Sequence, residues 1–87
     1  MLLAIDAGNT NTVFAMFDGG EDPSAVWRIR NDATRTSDEY ASWLFPLLQA
    51  SNLSFDNVDA VVIGSVVPGA NSHLRRFCDK YLKKTPM

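Results

Sequence analysis

Apolar residues fall along this chain in blocks whose spacing is strand-like at the start, helical in the middle, and then each in turn again. Leu2 to Asp6, Thr12 to Phe17 and Ala25 to Arg30 are short runs bounded by turn-forming residues, and each is predicted as a β-strand. Val26 and Ile29 are the main apolar residues of the third. The stretch Asp18-Gly19-Gly20-Glu21-Asp22-Pro23-Ser24 is a turn by composition and makes the second and third strands an antiparallel pair. Together the three predict a meander, with Asp6 where its first strand ends. Beyond Thr36 the period lengthens: Tyr40, Trp43, Leu44, Leu47 and Leu48 recur at helical spacing. Thr36-Ser37-Asp38-Glu39 before them is a capping box, in which Thr36 and Glu39 satisfy each other's backbone N–H groups. Asp38 and Glu39 also place negative charge at the positive end of the helix dipole. Pro46 removes one helical hydrogen bond, and a bend is expected there, not a stop, because Leu47 and Leu48 continue the stripe.

The run Ala60 to Val67 is nearly all apolar and does not alternate, which predicts a strand buried on both faces, central in the sheet and parallel to the first. Pro68 and Gly69 end it. A last helix is expected from about Ala70 to Lys83, burying Leu74, Phe77, Cys78, Tyr81 and Leu82, with Lys83 and Lys84 at its negative end. The order β-β-β-α-β-α is an α/β fold with a mixed sheet and helical crossovers.

The overall numbers exclude several classes of function. At 87 residues, 46% hydrophobic and 21% charged, the chain is one small globular unit, not a disordered one. A net charge of −2 leaves no basic footprint, which argues against nucleic acid as a partner. Cys78 is the single cysteine, so no internal disulfide forms and a reducing compartment is expected. No apolar stretch approaches the ~20 residues of a membrane helix, and the start lacks the basic and cleavage features of a signal peptide. A cytoplasmic protein without a membrane partner is expected.

The candidate chemistry sits between the first two strands. An apolar run delivers Asp6, a turn follows through Ala7-Gly8-Asn9-Thr10-Asn11-Thr12, and a second apolar run starts at Val13. Glycine permits close backbone approach, exposed N–H groups and hydroxyls donate to phosphate oxygens, and a carboxylate holds hydrated Mg²⁺. The same residues also satisfy an ordinary hairpin turn. Elsewhere the plainer readings prevail. His73 has no second ligand at metal spacing, the capping box accounts for Asp38 and Glu39, and Trp27 and Trp43 suit packing. Ser65 stands where a strand's carboxyl end presents ligands, although a local backbone bond explains it equally. Arg28, Arg30 and Arg35 fit a solvated strand face and its exit.

Three groups of residues carry a family resemblance. The start Leu3-Ala4-Ile5-Asp6-Ala7-Gly8-Asn9-Thr10-Asn11-Thr12 resembles the first phosphate motif of the fold shared by sugar kinases, actin and heat-shock chaperones. Within that group, the full Leu3-to-Thr12 start, Arg35-Thr36-Ser37-Asp38-Glu39-Tyr40 and Ser65-Val66-Val67-Pro68 are together similar to type III pantothenate kinase. The matches run in order from Leu2 to about Leu82. The resemblance implies a ribonuclease H-like (actin-like ATPase) half-domain, with residues 1–87 as the N-terminal portion of the first such domain.

It also implies ATP-dependent phosphorylation of pantothenate, the first step of coenzyme A synthesis, with Mg²⁺, a monovalent cation such as K⁺, and a homodimer. Carried over by position, Asp6, Ala7, Gly8, Asn9, Thr10, Asn11, Thr12 and Val13 are the ATP-phosphate loop. In that mapping Asp6 positions Mg²⁺, and the Gly8 backbone with the side chains of Asn9, Thr10 and Thr12 contacts phosphate. The family's Gly-x-Asp-Arg motif, source of the proposed base and of pantothenate contacts, does not occur in these residues. No catalytic residue is therefore expected within the chain, the base is expected beyond Met87, and the 87 residues alone are expected to be inactive. A non-catalytic nucleotide-binding or regulatory protein of the same fold, resembling an accessory factor, is the alternative.

Overall fold

A computed structural model describes residues 1–65 and 68–87, with residues 68–70 described by their backbone alone. Four strands, β1 (Leu2–Ala7), β2 (Asn11–Phe17), β3 (Ala25–Arg30) and β4 (Ala60–Ser65), form one sheet in the order β3-β2-β1-β4. β1 pairs antiparallel with β2 and β2 with β3, completing the meander, while β4 lies parallel to β1. The connection from β3 to β4 carries helix α1 (Ser37–Ala50) and a 3₁₀ turn at Phe55–Asn57. Helix α2 (Pro68–Phe77) continues into a π turn, Cys78–Leu82.

Because strand side chains alternate between faces, every second residue reaches the helices. Leu3, Ile5 and Ala7 of β1, Phe14 and Met16 of β2, and Val61 of β4 are buried on that face, with Trp27, Ile29 and Ile63 packed against them. In β3 it is Trp27 that joins Ile29 at the core, whereas Val26 points away and is 44% exposed. Tyr40, Ala41, Leu44 and Leu48 of α1 meet Leu74 and Phe77 of α2 above the sheet. Phe14 is the hub, its ring 5.9 Å from Tyr40, 5.2 Å from Trp43 and 6.2 Å from Phe77. Phe55 extends the cluster to Phe45 and Tyr81.

β4 differs from the expectation in one respect. It is parallel to β1 but lies at an edge of the four strands, and of its residues only Val61 is fully buried. Its neighbours Ala60 and Val62 are half-buried on the face away from the helices, with Leu2 and Ala4 beside them. The apolar run is thus explained by apolar residues on both sheet faces, not by a central position. The outer edge is partly paired, since the Met87 N–H donates to the Val61 carbonyl at 2.8 Å.

The helices follow their local signals. The Thr36 hydroxyl accepts from the Glu39 N–H at 3.2 Å and the Glu39 carboxylate accepts from the Thr36 N–H at 3.0 Å, so the capping box is complete. Thr36→Ala should lower unfolding free energy by about 1 kcal/mol. A denaturant melt with an unchanged midpoint would refute that role. α1 runs through Pro46 to Ala50 without a stop. Asp38 plays a part beyond the cap: it accepts from Lys80 Nζ at 2.8 Å and from the Tyr81 hydroxyl at 2.6 Å. Those two donors hold its carboxyl below the usual range and tie α1 to the π turn.

α2 starts two residues before its expected position. Proline is favoured at a first helical position because the N–H it lacks has no partner there, and Pro68 occupies it. Leu74, Phe77, Cys78 and Leu82 are buried as the stripe requires. Burial pushes the Cys78 thiol up to about 11, which makes it a packing group. Lys83 closes the π turn in the left-handed conformation, with φ 56°. Among the described residues, no helix is long and apolar enough to cross a membrane.

Candidate functional site

β1 and β4 run parallel, so their carboxyl ends lie side by side, with Ala7 opposite Ser65 and Asp6 opposite Gly64. That is the end at which open α/β sheets present ligands. The β1–β2 hairpin turns here as well. Ala7 pairs with Thr12, and the Gly8 N–H donates to the Asn11 carbonyl at 3.0 Å, so the tip is Gly8-Asn9-Thr10-Asn11. α2 begins at Pro68, just past the end of β4. Val66 and Val67 of the expected strand exit lie outside the described residues.

Alternation decides what each residue of the tip can offer. Asp6 falls on the face away from the helices and is exposed, whereas Ala7 is fully buried and Val13 half-buried. Ala7 therefore has only its backbone to offer a ligand, while Val13 stands opposite Asp6. Asn9, Thr10 and Asn11 are exposed. Beside Asp6, Gly64 has no side chain, and a Cβ there would stand 3.9 Å from Asp6 Oδ1. The carboxylate thus has open space along β4. Gly8 does not sit at positive φ, and an added Cβ would meet the Asn11 carbonyl at 3.4 Å, an ordinary contact. Backbone conformation does not demand this glycine. Close approach of a ligand to the main chain is the other physical reason to have one.

Thr12 is placed differently from expectation. Its side chain, expected to contact phosphate, is 1% exposed, and its hydroxyl donates to Asn31 Oδ1 at 2.7 Å. Asn31, the first residue after β3, also donates its side-chain amide to the Gly8 carbonyl and its backbone N–H to the Thr10 carbonyl at 2.9 Å. Sequence reading passed over Asn31, because an asparagine after a strand reads as a turn residue. The clue lies in the pairing of Asn11 with Arg30, which carries the next residue beyond β3 to the hairpin tip.

The segment that follows is organised locally. The Asp32 carboxylate accepts from the Thr34 hydroxyl at 2.7 Å and from the Thr34 N–H at 2.9 Å, which holds its carboxyl below the usual range. The Arg35 guanidinium donates to the Arg30 carbonyl and lies over the Tyr40 ring, 5.9 Å from its centre. Arg28 and Arg30 are exposed on β3. Trp27 and Trp43 pack against the core.

Among the described residues, no three His, Cys, Asp or Glu side chains stand together as ligands. A single exposed carboxylate such as Asp6 fits Mg²⁺, which keeps several waters and takes its other ligands from phosphates.

Comparison with known proteins shows the family. A family model described as type III pantothenate kinase matches residues 2–87. The chain is similar to the type III pantothenate kinase of Acidiphilium cryptum, with 49% identity over all of this chain and 32% of that protein. It is 47% identical over its whole length to that of Rhodospirillum rubrum, covering 34% of it. With that of Rhizorhabdus wittichii it shares 54% identity over 93% of this chain and 31% of the relative. The chain thus spans about a third of the length of the curated relatives it matches.

Proposed function

The chain belongs to the type III pantothenate kinase family, and from that premise we propose that this protein transfers the γ-phosphoryl group of ATP to pantothenate, the first step of coenzyme A biosynthesis. The observation that carries the reading is the hairpin tip Gly8-Asn9-Thr10-Asn11 at the carboxyl ends of β1 and β4, exposed at Asn9, Thr10 and Asn11, with the exposed Asp6 beside it. Residues Asp6 to Val13 form the ATP-phosphate loop. Asn9, Thr10 and Asn11 offer side chains to the phosphate oxygens, and Gly8 lets them reach the main chain. Asp6 is the residue that would hold Mg²⁺. When bound, that ion neutralises charge on the phosphates.

Phosphoryl transfer depends chiefly on positioning and on charge stabilisation. The chain's own part is therefore to fix the phosphate end of ATP against a rigid sheet. The base that accepts the pantothenate hydroxyl proton, and the pantothenate contacts, come from outside residues 1–87, so these residues alone do not turn over. A homodimer, a K⁺ requirement and a cytoplasmic setting belong to the same proposal.

The test is ADP production by the full-length protein with Mg²⁺ and K⁺, with and without pantothenate. Pantothenate-dependent turnover is the expected result. ATP binding without any pantothenate-dependent turnover would instead favour a non-catalytic nucleotide-binding protein.

A further inference from the structure

We propose that Asn31 is the positioning residue of the phosphate loop, holding it from behind in the shape that receives ATP. The inference rests on the reading of residues 6–13 as that loop. Asn31 grips alternate residues of the hairpin tip. Its side-chain amide donates to the Gly8 carbonyl, its N–H donates to the Thr10 carbonyl at 2.9 Å, and its Oδ1 accepts the Thr12 hydroxyl at 2.7 Å.

Two features make this more than a turn contact. First, the carbonyls of Gly8 and Thr10 carry partial negative charge, and either one turned toward a phosphate would repel it. Asn31 engages both, so what the tip presents to an anion is the exposed side chains of Asn9, Thr10 and Asn11. Second, the Thr12 hydroxyl is buried and needs a partner. The amide side chain donates to Gly8 and accepts from Thr12 together, whereas a carboxylate has no donor and a lone hydroxyl does not span both. Asn31 itself is anchored, since it follows Arg30, which pairs with Asn11 in the sheet. The loop's shape is therefore referred to the end of β3, through a residue 19 positions from Thr12 along the chain.

The test uses the full-length protein and MgATP. Asn31→Ala should lower kcat/KM for ATP by roughly 10–100-fold, the scale of a misplaced binding group. The KM for pantothenate should stay within about twofold, because that substrate does not touch the loop carbonyls. Calorimetric binding of MgATP should weaken in parallel. Asn31→Asp, which keeps the acceptor for Thr12 but sets a negative charge against the Gly8 carbonyl, should fare no better than alanine. Thr12→Val removes one of the three bonds in nearly the same volume, and should shift ATP binding in the same direction by a smaller factor. If Asn31→Ala does not fold, Thr12→Val decides the matter in its place.

Unchanged MgATP affinity in a folded Asn31→Ala protein would overturn the proposal. So would equal losses for ATP and pantothenate accompanied by a lowered melting temperature, which is the mark of a general structural role. A wild-type protein that binds MgATP without phosphorylating pantothenate would sink the kinase reading alone. The affinity comparison would then still decide for or against Asn31.

Discussion

Asp6→Asn in the full-length protein should abolish pantothenate-dependent turnover while leaving the fold in place. The side chain is exposed on the sheet face away from the helices, so the core does not use it. The amide is nearly isosteric and fits the same space beside Gly64, where a Cβ would stand 3.9 Å from the carboxylate oxygen. What changes is charge. Mg²⁺ is a hard cation that prefers anionic oxygen, and a neutral amide binds it poorly. Losing one preorganised electrostatic contact to a reacting group costs about 10²–10³ in kcat, and the loss of a metal position should reach at least that. Steady-state ADP release together with a thermal melt checks both halves. Near-normal turnover would remove Asp6 from the site. A collapsed melt would show that it serves the fold.

The largest expected effect on stability lies at Phe14. Its ring is fully buried and touches Tyr40 and Trp43 of α1 and Phe77 of α2, so it joins the sheet to both helices. Phe14→Ala should cost about 3–5 kcal/mol, from lost burial and from the cavity left behind. A domain of this size has roughly 4–13 kcal/mol of stability in total. The substitution should therefore leave it marginal or unfolded at ambient temperature. Phe14→Leu keeps most of the volume and should cost less than about 1.5 kcal/mol. Urea melts of the two variants decide it: an alanine variant within about 1 kcal/mol of wild type would mean that the two layers do not depend on this ring.

Both predictions rest on features read from the chain with unequal ease. The capping box, the meander and the buried stripe of α2 were legible because each is written in residues close together in sequence. The tip Gly8-Asn9-Thr10-Asn11 was legible for the same reason, whereas the parallel pairing of β4 with β1 followed from the unbroken apolar run of β4. What escaped was whatever depends on a particular side-chain partner far along the chain. Thr12 looks outward-facing in a polar turn, and only the β2–β3 register brings Asn31 beneath it. Asp38 satisfies a capping pattern on paper, yet its carboxylate serves Lys80 and Tyr81, more than forty residues away. In β3, Val26 and Trp27 are both apolar neighbours, and the pleat decides that tryptophan faces the helices. The apolar run of β4 suggested a central strand, because composition reports the chemistry of the two faces and not what lies along the edges.

The parallel pairing of β1 with β4 has a consequence in time. β1, β2 and β3 are joined by short turns, and such hairpins close within about 1–10 μs. β4 is far from β1 along the chain: the Met1 ammonium meets the Asp59 carboxylate across a separation of 58 residues. Contacts that distant form late, because the intervening chain must first give up its freedom. During synthesis at about 5–20 residues per second, the ribosome releases the meander whole seconds before β4 emerges. For that interval Leu3 and Ile5 have neither their parallel neighbour nor α2 above them, and the nascent chain must keep that strand edge from finding another.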